Sequence, residues 1–233
     1  MKKALPIILA IVLCACIFAS CDNGDAPDGM KLASSDNALY SMYVPEEWQI
    51  NQSTPAVLTV QVSDTDRTNL SVAIWNMSEG YTSHDDFIAE YKTQIETLFD
   101  TKTQKKLDEN GQAVLDENGE EVFETISSLK FELDGATTSQ IGTYYVDEVD
   151  GKKTSPYSAR DYLYVGRVNG DYYKFSVTVV ADSGTGAFYV ITTTYAQDEL
   201  GAKQYEIGES VAFSSYDTHK DAINNIISTF KIK

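Results

Sequence analysis

The residues best suited to proton transfer are two histidines, His84 and His219, the only two in the sequence. An imidazole is the commonest general acid or base in enzymes. A metal site or a Ser–His pair would also require these rings to converge with other ligands in the fold, and no sequence motif indicates such convergence. Both histidines lie near the start of a predicted helix, where a polar residue needs no further function. The sequence therefore predicts no catalytic residue, no metal site and no cofactor.

A serine and a lysine with catalytic spacing occur in Ser127-Ser128-Leu129-Lys130. The S-x-x-K spacing is that of penicillin-binding enzymes. In those enzymes the serine lies at the start of a helix, whereas this tetrapeptide falls within an alternating pattern typical of a strand. We interpret the match as coincidence.

Acidic residues with potential for calcium binding lie in KKLDENGQAVLDENGEEV, residues 105–122, where Leu-Asp-Glu-Asn-Gly occurs twice. An EF-type calcium loop requires Gly at position six and Glu at position twelve. Neither the register that starts at Asp108 nor the one that starts at Asp116 meets this requirement. The acidic stretch from Asp64 to Asn69 lacks the same residues and is predicted to be a turn. We therefore expect that calcium does not bind.

The repeated segment is better explained by turns. Asn110-Gly111 and Asn118-Gly119 both favour the positive φ angles of tight hairpin turns. Residues 105–122 are thus predicted to form a small β-meander insertion, an arm that projects from the sheet edge or lies against it. The four turn residues are its candidate partner contacts. Its apolar residues, expected to be buried, are Leu107, Val114, Leu115 and Val122.

The cysteines are confined to the start of the chain, at Cys14, Cys16 and Cys21. Lys2 and Lys3 precede a mostly apolar run that contains no charge, residues 4–19, and Ser20 and Cys21 complete it. A basic start followed by an apolar run is typical of a signal peptide. The run is shorter than the roughly 20 residues that a membrane-spanning helix needs.

The end of this run, Phe18-Ala19-Ser20-Cys21, resembles the lipobox of bacterial lipoproteins, in which the peptide is cut before a cysteine that carries diacylglycerol. The resemblance implies a signal peptide at residues 1–20 and lipid attachment at Cys21. Cys16 has similar flanking residues and is the alternative, but polar residues follow Cys21 directly. Attachment would place the protein at the extracytoplasmic face of the cell membrane, and the polar segment 21–37 is predicted to be a flexible tether.

The composition limits the kinds of partner that the protein can bind and the number of domains that it can form. The chain has 233 residues and a net charge of −17. Such a charge repels nucleic acid, so no nucleic-acid partner is expected. Residues 38–233 are sufficient for a single domain with its own core.

The hydrophobic patterns predict two amphipathic helices, at residues 83–99 and 217–230. The Asn169-Gly170 dipeptide predicts a hairpin that pairs Tyr164 with Phe175, both buried. Since the pattern lacks regular alternation of strands and helices, the fold class is predicted to be α+β with a predominantly antiparallel sheet. The predicted strands are 38–44, 56–62, 69–76, 123–133, 141–149, 160–168, 171–180 and 187–196.

The segment from Tyr40 to Trp48, YSMYVPEEW, resembles the opening of PsbP-like domains. These domains are relatives of the photosystem II extrinsic subunit and of nuclear Ran-binding proteins that share its fold. The terminal helix ending Ile227-Ser228-Thr229-Phe230 lies in the corresponding order. The resemblance implies an αβα sandwich and little about function, because this fold serves unrelated tasks, mostly binding.

The sequence thus favours a membrane-tethered extracytoplasmic lipoprotein that acts as a non-enzymatic binding or accessory module. A protein of the cell envelope is its candidate partner. Two alternatives stay open. One is a cell-surface hydrolase with a dispersed active site, and the other is a structural envelope protein.

Overall fold

The computed structural model describes residues 26–76, 84–137, 147–149, 152–154, 157–182, 185–196 and 213–233. Within these ranges the chain forms two helices, α1 (His84–Glu96) and α2 (Ser214–Ser228). Neither is long and apolar enough to span a bilayer. The strands in the same ranges are β1 Met30–Leu32, β2 Tyr40–Ser41, β3 Tyr43–Pro45, β4 Gln49–Ser53, β5 Val57–Gln61, β6 Asn69–Asn76, β7 Thr101–Lys105, β8 Phe123–Ser127, β9 Lys130–Thr137, β10 Asp147–Val149, β11 Lys152–Thr154, β12 Tyr157–Val168, β13 Asp171–Asp182, β14 Ala187–Ala196 and β15 Lys231–Ile232.

The main element is a seven-stranded sheet with the order β4-β5-β6-β14-β13-β12-β9. Every neighbouring pair in it is antiparallel. Consecutive strands form four of these pairs, β4 with β5, β5 with β6, β12 with β13 and β13 with β14, because antiparallel neighbours need only short loops. The structure therefore confirms the predicted α+β class, with a mostly antiparallel sheet and two helices.

The hairpin of β12 and β13 has the predicted register, with Val168 opposite Asp171 at its closed end. The loop residues Asn169 and Gly170 have φ angles of 52° and 91°. Two consecutive positive φ angles define the turn that matches strand twist, which is why this dipeptide specified the hairpin.

Phe175 lies opposite Tyr164 as predicted, and the two rings are stacked with centroids 5.1 Å apart. Phe99 meets Phe175 edge-on at 5.7 Å. Phe175 is nevertheless only half-buried, so the prediction of full burial was wrong.

The strand β14 supplies side chains to two separate cores. Tyr189 and Ile191 belong to a cluster that includes Ile223 and Ile227 of α2. Phe188 belongs to a second cluster, which contains the buried residues of α1. Because successive side chains of a strand point to opposite faces, each helix packs with a different set of β14 residues.

The first strands differ from the prediction. The predicted strand 38–44 is divided into β2, which pairs with β15, and β3, which pairs with β1. The division occurs at Met42, whose carbonyl accepts a hydrogen bond from Ala33 N at 2.9 Å. The predicted tether at 21–37 is therefore wrong for Met30 to Ser34, because β1 is paired and Ala33 and Ser34 are buried.

Other boundaries also moved. The predicted strand 123–133 is broken at the buried residue Ser128, so that β8 and β9 belong to different sheets. The helix predicted at 83–99 ends at Glu96, and Leu98 is exposed rather than buried. Ser83 and most of the predicted strand 141–149 lie outside the described residues.

We expect Phe188→Ala to lower the free energy of unfolding by about 3–5 kcal/mol, since it would leave a cavity in the core. Phe188 is 1% exposed, and its ring stacks on Phe87 with centroids 4.2 Å apart. Chemical denaturation would measure the change. Phe123→Ala is the matched control, because Phe123 is 57% exposed and its loss should change stability little.

Candidate interaction surface

A two-stranded arm, residues 101–127, extends from the body of the protein. Its strands β7 and β8 pair with each other in a separate sheet, with Thr101 opposite Ser127 and Lys105 opposite Phe123. Every residue of β7 is exposed. The arm therefore presents both faces of β7 to solvent.

The base of the arm is fixed by Asp100. Its backbone N donates to the Arg167 carbonyl at 2.7 Å, and its own carbonyl accepts from Ser128 N at 2.8 Å. Its carboxylate accepts from the backbone N of Asn169 at 3.2 Å and of Gly170 at 2.9 Å. The same carboxylate lies 3.2 Å from Arg167 Nε in an ion pair. Both ends of the arm thus meet the hairpin turn between β12 and β13.

Close packing adds to this attachment. Phe99 directly precedes Asp100, and its ring lies against Gly166 of β12. A Cβ atom at Gly166 would be only 2.1 Å from the Phe99 ring. Glycine is therefore required at this position by the approach of the aromatic ring, which the sequence pattern did not indicate.

Three peptide groups close a ring of hydrogen bonds in the tip, which we define as residues 106–122. Val114 N donates to the Lys106 carbonyl at 2.9 Å, and Val122 N donates to the Val114 carbonyl at 2.9 Å. Lys106 N donates to the Val122 carbonyl at 2.8 Å. The ring residues are spaced like the sequence repeat. The tip is therefore a three-lobed junction, two lobes being the repeats and the third the arm itself.

This arrangement corrects the predicted flat meander. In a meander the outer strands do not meet, whereas here the first and third segments are hydrogen-bonded through Lys106 and Val122. The middle segment 112–115 forms isolated bridges rather than a strand. Leu107 and Leu115, expected to be buried, are 55% and 56% exposed, because the three lobes surround a narrow junction with no apolar interior.

The first loop is built around Asp108. Its Oδ1 accepts from the backbone N of Asn110 and of Gln112, each at 2.9 Å. Gly111 has a φ of +77°, and its N donates to the Asp108 carbonyl at 3.0 Å. Asn110 lacks the positive φ predicted for it. The loop is a turn that ends in Gly111 at positive φ, and the Asp108 carboxylate holds the backbone on both sides of this glycine.

The second loop repeats this geometry around Asp116. Its Oδ1 accepts from the backbone N of Asn118 at 2.8 Å and of Glu120 at 2.9 Å, and Gly119 has a φ of +82°. Backbone hydrogen bonds from Gln112 and from Glu120 hold the pKa values of Asp108 and Asp116, respectively, below their ordinary range. Both carboxylates are therefore used to shape the loops. Within the described residues, no group of three His, Cys, Asp or Glu could hold a metal ion.

His219 lies in a contact between α2 and the turn before β6. Its Nε2 is 2.6 Å from Asp66 Oδ2, and Thr68 N donates to Asp66 Oδ1 at 3.0 Å. The indole of Trp48 meets the imidazole edge-on with centroids 6.5 Å apart. The arrangement joins two elements, and the turn predicted for this acidic stretch is present. His84 is the first residue of α1.

The other sequence candidates fall in separate places. Ser127 ends β8 and Lys130 begins β9, so neither lies at a helix start. Cys21 and the predicted signal peptide lie outside the described residues.

Solved structures with a similar fold include a mutant of the protein Mog1, with a TM-score of 0.50 and 9% identity over 87% of this chain and 95% of that chain. The Saccharomyces cerevisiae Ran-binding protein Mog1p has a TM-score of 0.48 and 8% identity, with the same coverage. A protein of unknown function from Pseudomonas aeruginosa has a TM-score of 0.41 and 13% identity over 86% of this chain and 94% of that chain. No protein-family model and no curated protein matches the sequence.

The likeness to Mog1 shows the fold alone, because the identity is far below the level at which function transfers. It agrees with the fold implied by the resemblance to PsbP-like domains. The yeast protein is named for binding Ran, and fold likeness does not carry that partner to this chain.

We expect stability to fall with acid partly through Asp66. Burial raises the pKa of Asp66, but hydrogen bonds from Thr68 and His219 outweigh it, and the net pKa is lowered. A carboxyl with a lowered folded-state pKa stabilises the fold above its unfolded pKa, and this stability is lost as the pH falls through the folded pKa. Denaturant midpoints measured below about pH 4 should therefore fall more steeply for the natural protein than for Asp66→Asn. Asp64→Asn, at an exposed neighbour, should behave like the natural protein.

We also expect about 5 mM calcium, enough to saturate typical extracellular calcium modules, to leave the melting temperature unchanged. The reason is that Asp108 and Asp116 each already accept two backbone hydrogen bonds. Calorimetry with and without calcium would measure this. A calcium-dependent rise that disappears in Asp108→Asn would demonstrate a metal site and contradict the turn interpretation.

Proposed function

We propose that the protein is a lipid-anchored, extracytoplasmic binding or accessory module without catalytic activity, and that the tip is its partner-contact surface. One observation carries the proposal. None of residues 106–122, all of which the structure describes, belongs to a core cluster, although their backbone is held by an ordered set of hydrogen bonds. An ordered surface segment that adds nothing to the core is typical of a binding loop.

The internal bonds of the tip favour binding for a thermodynamic reason. A loop that must become ordered on binding loses affinity, because its conformational entropy falls. Here the Asp108 and Asp116 carboxylates and the ring of backbone bonds fix the loops beforehand. Asn110, Gly111, Asn118 and Gly119 form the loop ends and are proposed as partner contacts.

The anchoring of the tip strengthens the proposal. Asp100 joins the base of the arm to the turn between β12 and β13, two of the longest strands of the sheet. The position of the tip is therefore tied to the core of the domain. A partner bound there would be held in a defined orientation relative to the body.

The proposed tether is short. Lipid attachment at Cys21 leaves residues 22–29 before β1. A chain of this length reaches at most about 30 Å when fully extended. The domain would therefore stay close to the membrane surface, where its partner would also have to lie.

We also infer that residues 30–233, which include the paired strand β1 and the buried Ala33 and Ser34, form one PsbP-like domain with the layers of an αβα sandwich. The support is the alternation along β14, where Tyr189 packs with the α2 cluster and Phe188 with the α1 cluster. Adjacent side chains of a strand point to opposite faces, so this alternation supports a place for each helix on its own face of the sheet.

The anchor is tested by growing cells with labelled palmitate. We expect the label on the natural protein and on Cys16→Ala, and its loss from Cys21→Ala, since the thiol of Cys21 is the proposed attachment point. Denaturing gels of immunopurified protein would measure the label. Labelling of Cys21→Ala together with loss of label from Cys16→Ala would assign the anchor to the other cysteine.

The binding role is tested by replacing residues 107–121 with Asn-Gly. Lys106 and Val122 are already hydrogen-bonded, so a two-residue turn can close the shortened arm. We expect an unchanged melting temperature, because the tip belongs to no core cluster. Formaldehyde cross-linking in intact cells should give discrete heteromeric products with the natural protein that are missing from this variant.

Two results would count against the binding role. If both proteins give the same cross-linked products, the partner contacts another surface. If the shortened protein unfolds at a much lower temperature, the tip has a structural role that its contacts do not indicate.

A further inference from the structure

Three large apolar side chains of the arm are exposed to nearly the same extent. The exposed fractions are 55% for Leu107, 56% for Leu115 and 57% for Phe123. Each residue directly follows one member of the hydrogen-bonded ring. Each ring residue donates to one of the other two and accepts from the remaining one, so the three are related by an approximate threefold rotation. The residues that follow them therefore occupy equivalent positions. The three residues, here called the apolar triad, therefore lie on the same side of the tip.

The cross-strand partners of the triad define the rest of this face. Residues opposite each other in an antiparallel pair point to the same face. Ala113 and Glu121 form bridges to Leu107 and Leu115, and Lys105 lies opposite Phe123. Lys105 Nζ and Glu121 Oε2 are 2.7 Å apart, which shows that two neighbouring lobes present these residues together. We call this side of the tip the triad face.

The surroundings of the triad face are acidic. Between Lys106 and Val122 the sequence contains six acidic residues and no basic residue. The nearest lysines, Lys105 and Lys106, lie where the tip joins the strands of the arm. The acidic residues are Asp108, Glu109, Asp116, Glu117, Glu120 and Glu121.

Apolar side chains grouped within a polar rim are typical of interaction sites, since their exposure costs free energy that binding recovers. The charge of the rim selects the occupant. A second copy of this chain would place acidic tips together, and anionic lipid would repel them in the same way. A surface with lysine and arginine around an apolar pocket complements both features.

We infer that the apolar triad docks into an apolar pocket rimmed by lysine and arginine on a partner protein. The inference rests on the proposed function and makes it more specific, because it moves the main contact from the loop ends to the triad face. Burial of two leucines and a phenylalanine supplies the affinity, and the acidic rim supplies orientation and rate of association.

The test uses the photo-crosslinking residue p-benzoylphenylalanine in the full-length protein in its native cells. Glu120 and Glu121 are adjacent, exposed and of the same type, but only Glu121 belongs to the triad face. We expect a heteromeric product about tenfold stronger from position 121 than from position 120, because partner contact at a hot spot is confined to one face. The cross-linked partner peptide should lie next to lysine or arginine.

A second comparison tests the apolar chemistry. With the probe at position 121, Leu107→Ser with Leu115→Ser should reduce the product about tenfold. Leu39→Ser is the matched control, because Leu39 is also 56% exposed but lies outside the arm. Equal melting temperatures of these variants would show that folding is unaffected.

The outcomes separate this inference from the proposed function. Products from probes at Asn110 and Asn118 but none from position 121 would overturn the triad contact and leave the binding role intact. A product formed with a second copy, with lipid or with an acidic partner surface would also overturn it. No product from any tip position in the anchored, folded protein would contradict the proposed function itself.

Discussion

The burial of both faces of β14 is the constraint on which the rest of the structure depends. A strand covered on both sides needs a helix or further chain on each face, and α1 and α2 meet this need through separate clusters. The same strand joins β6 to β13 and so connects the two groups of hairpins in one sheet. An antiparallel sheet that packs with both helices follows from this single requirement.

The arm depends on the sheet in a different way. It adds no side chain to the clusters that stabilise the body, yet Asp100 ties it to the turn of the longest hairpin by backbone amides and an ion pair. Under the proposed function, stability and recognition are thus assigned to different residues. Substitutions at the tip are therefore free to alter binding while the clusters around β14 keep the domain folded.

The sequence predicted the elements whose signals are local. Asn169-Gly170 specified its hairpin because both residues tolerate positive φ, and β6 and β14 have the predicted bounds because their alternation is long. The role of Asp100 was not predictable, because its partners are about 70 residues away and no local pattern marks them. The burial of Leu107 and Leu115 was predicted wrongly, since hydrophobic residues near turns were assumed to face an interior that the three-lobed junction lacks.

The closed ring of the tip also limits how this segment can change through evolution. A solenoid can gain or lose repeats at its ends, because each unit contacts only its neighbours. Here the arm strands occupy the third position of the ring. A further eight-residue repeat would therefore find no free backbone hydrogen-bonding group in the ring. Insertion or loss of a single unit would therefore break the three-membered ring, so the number of units is fixed more strictly than the sequence within each loop. Within each loop the geometry also fixes the aspartate that holds the backbone and the glycine at positive φ, which leaves the remaining loop positions open to substitution.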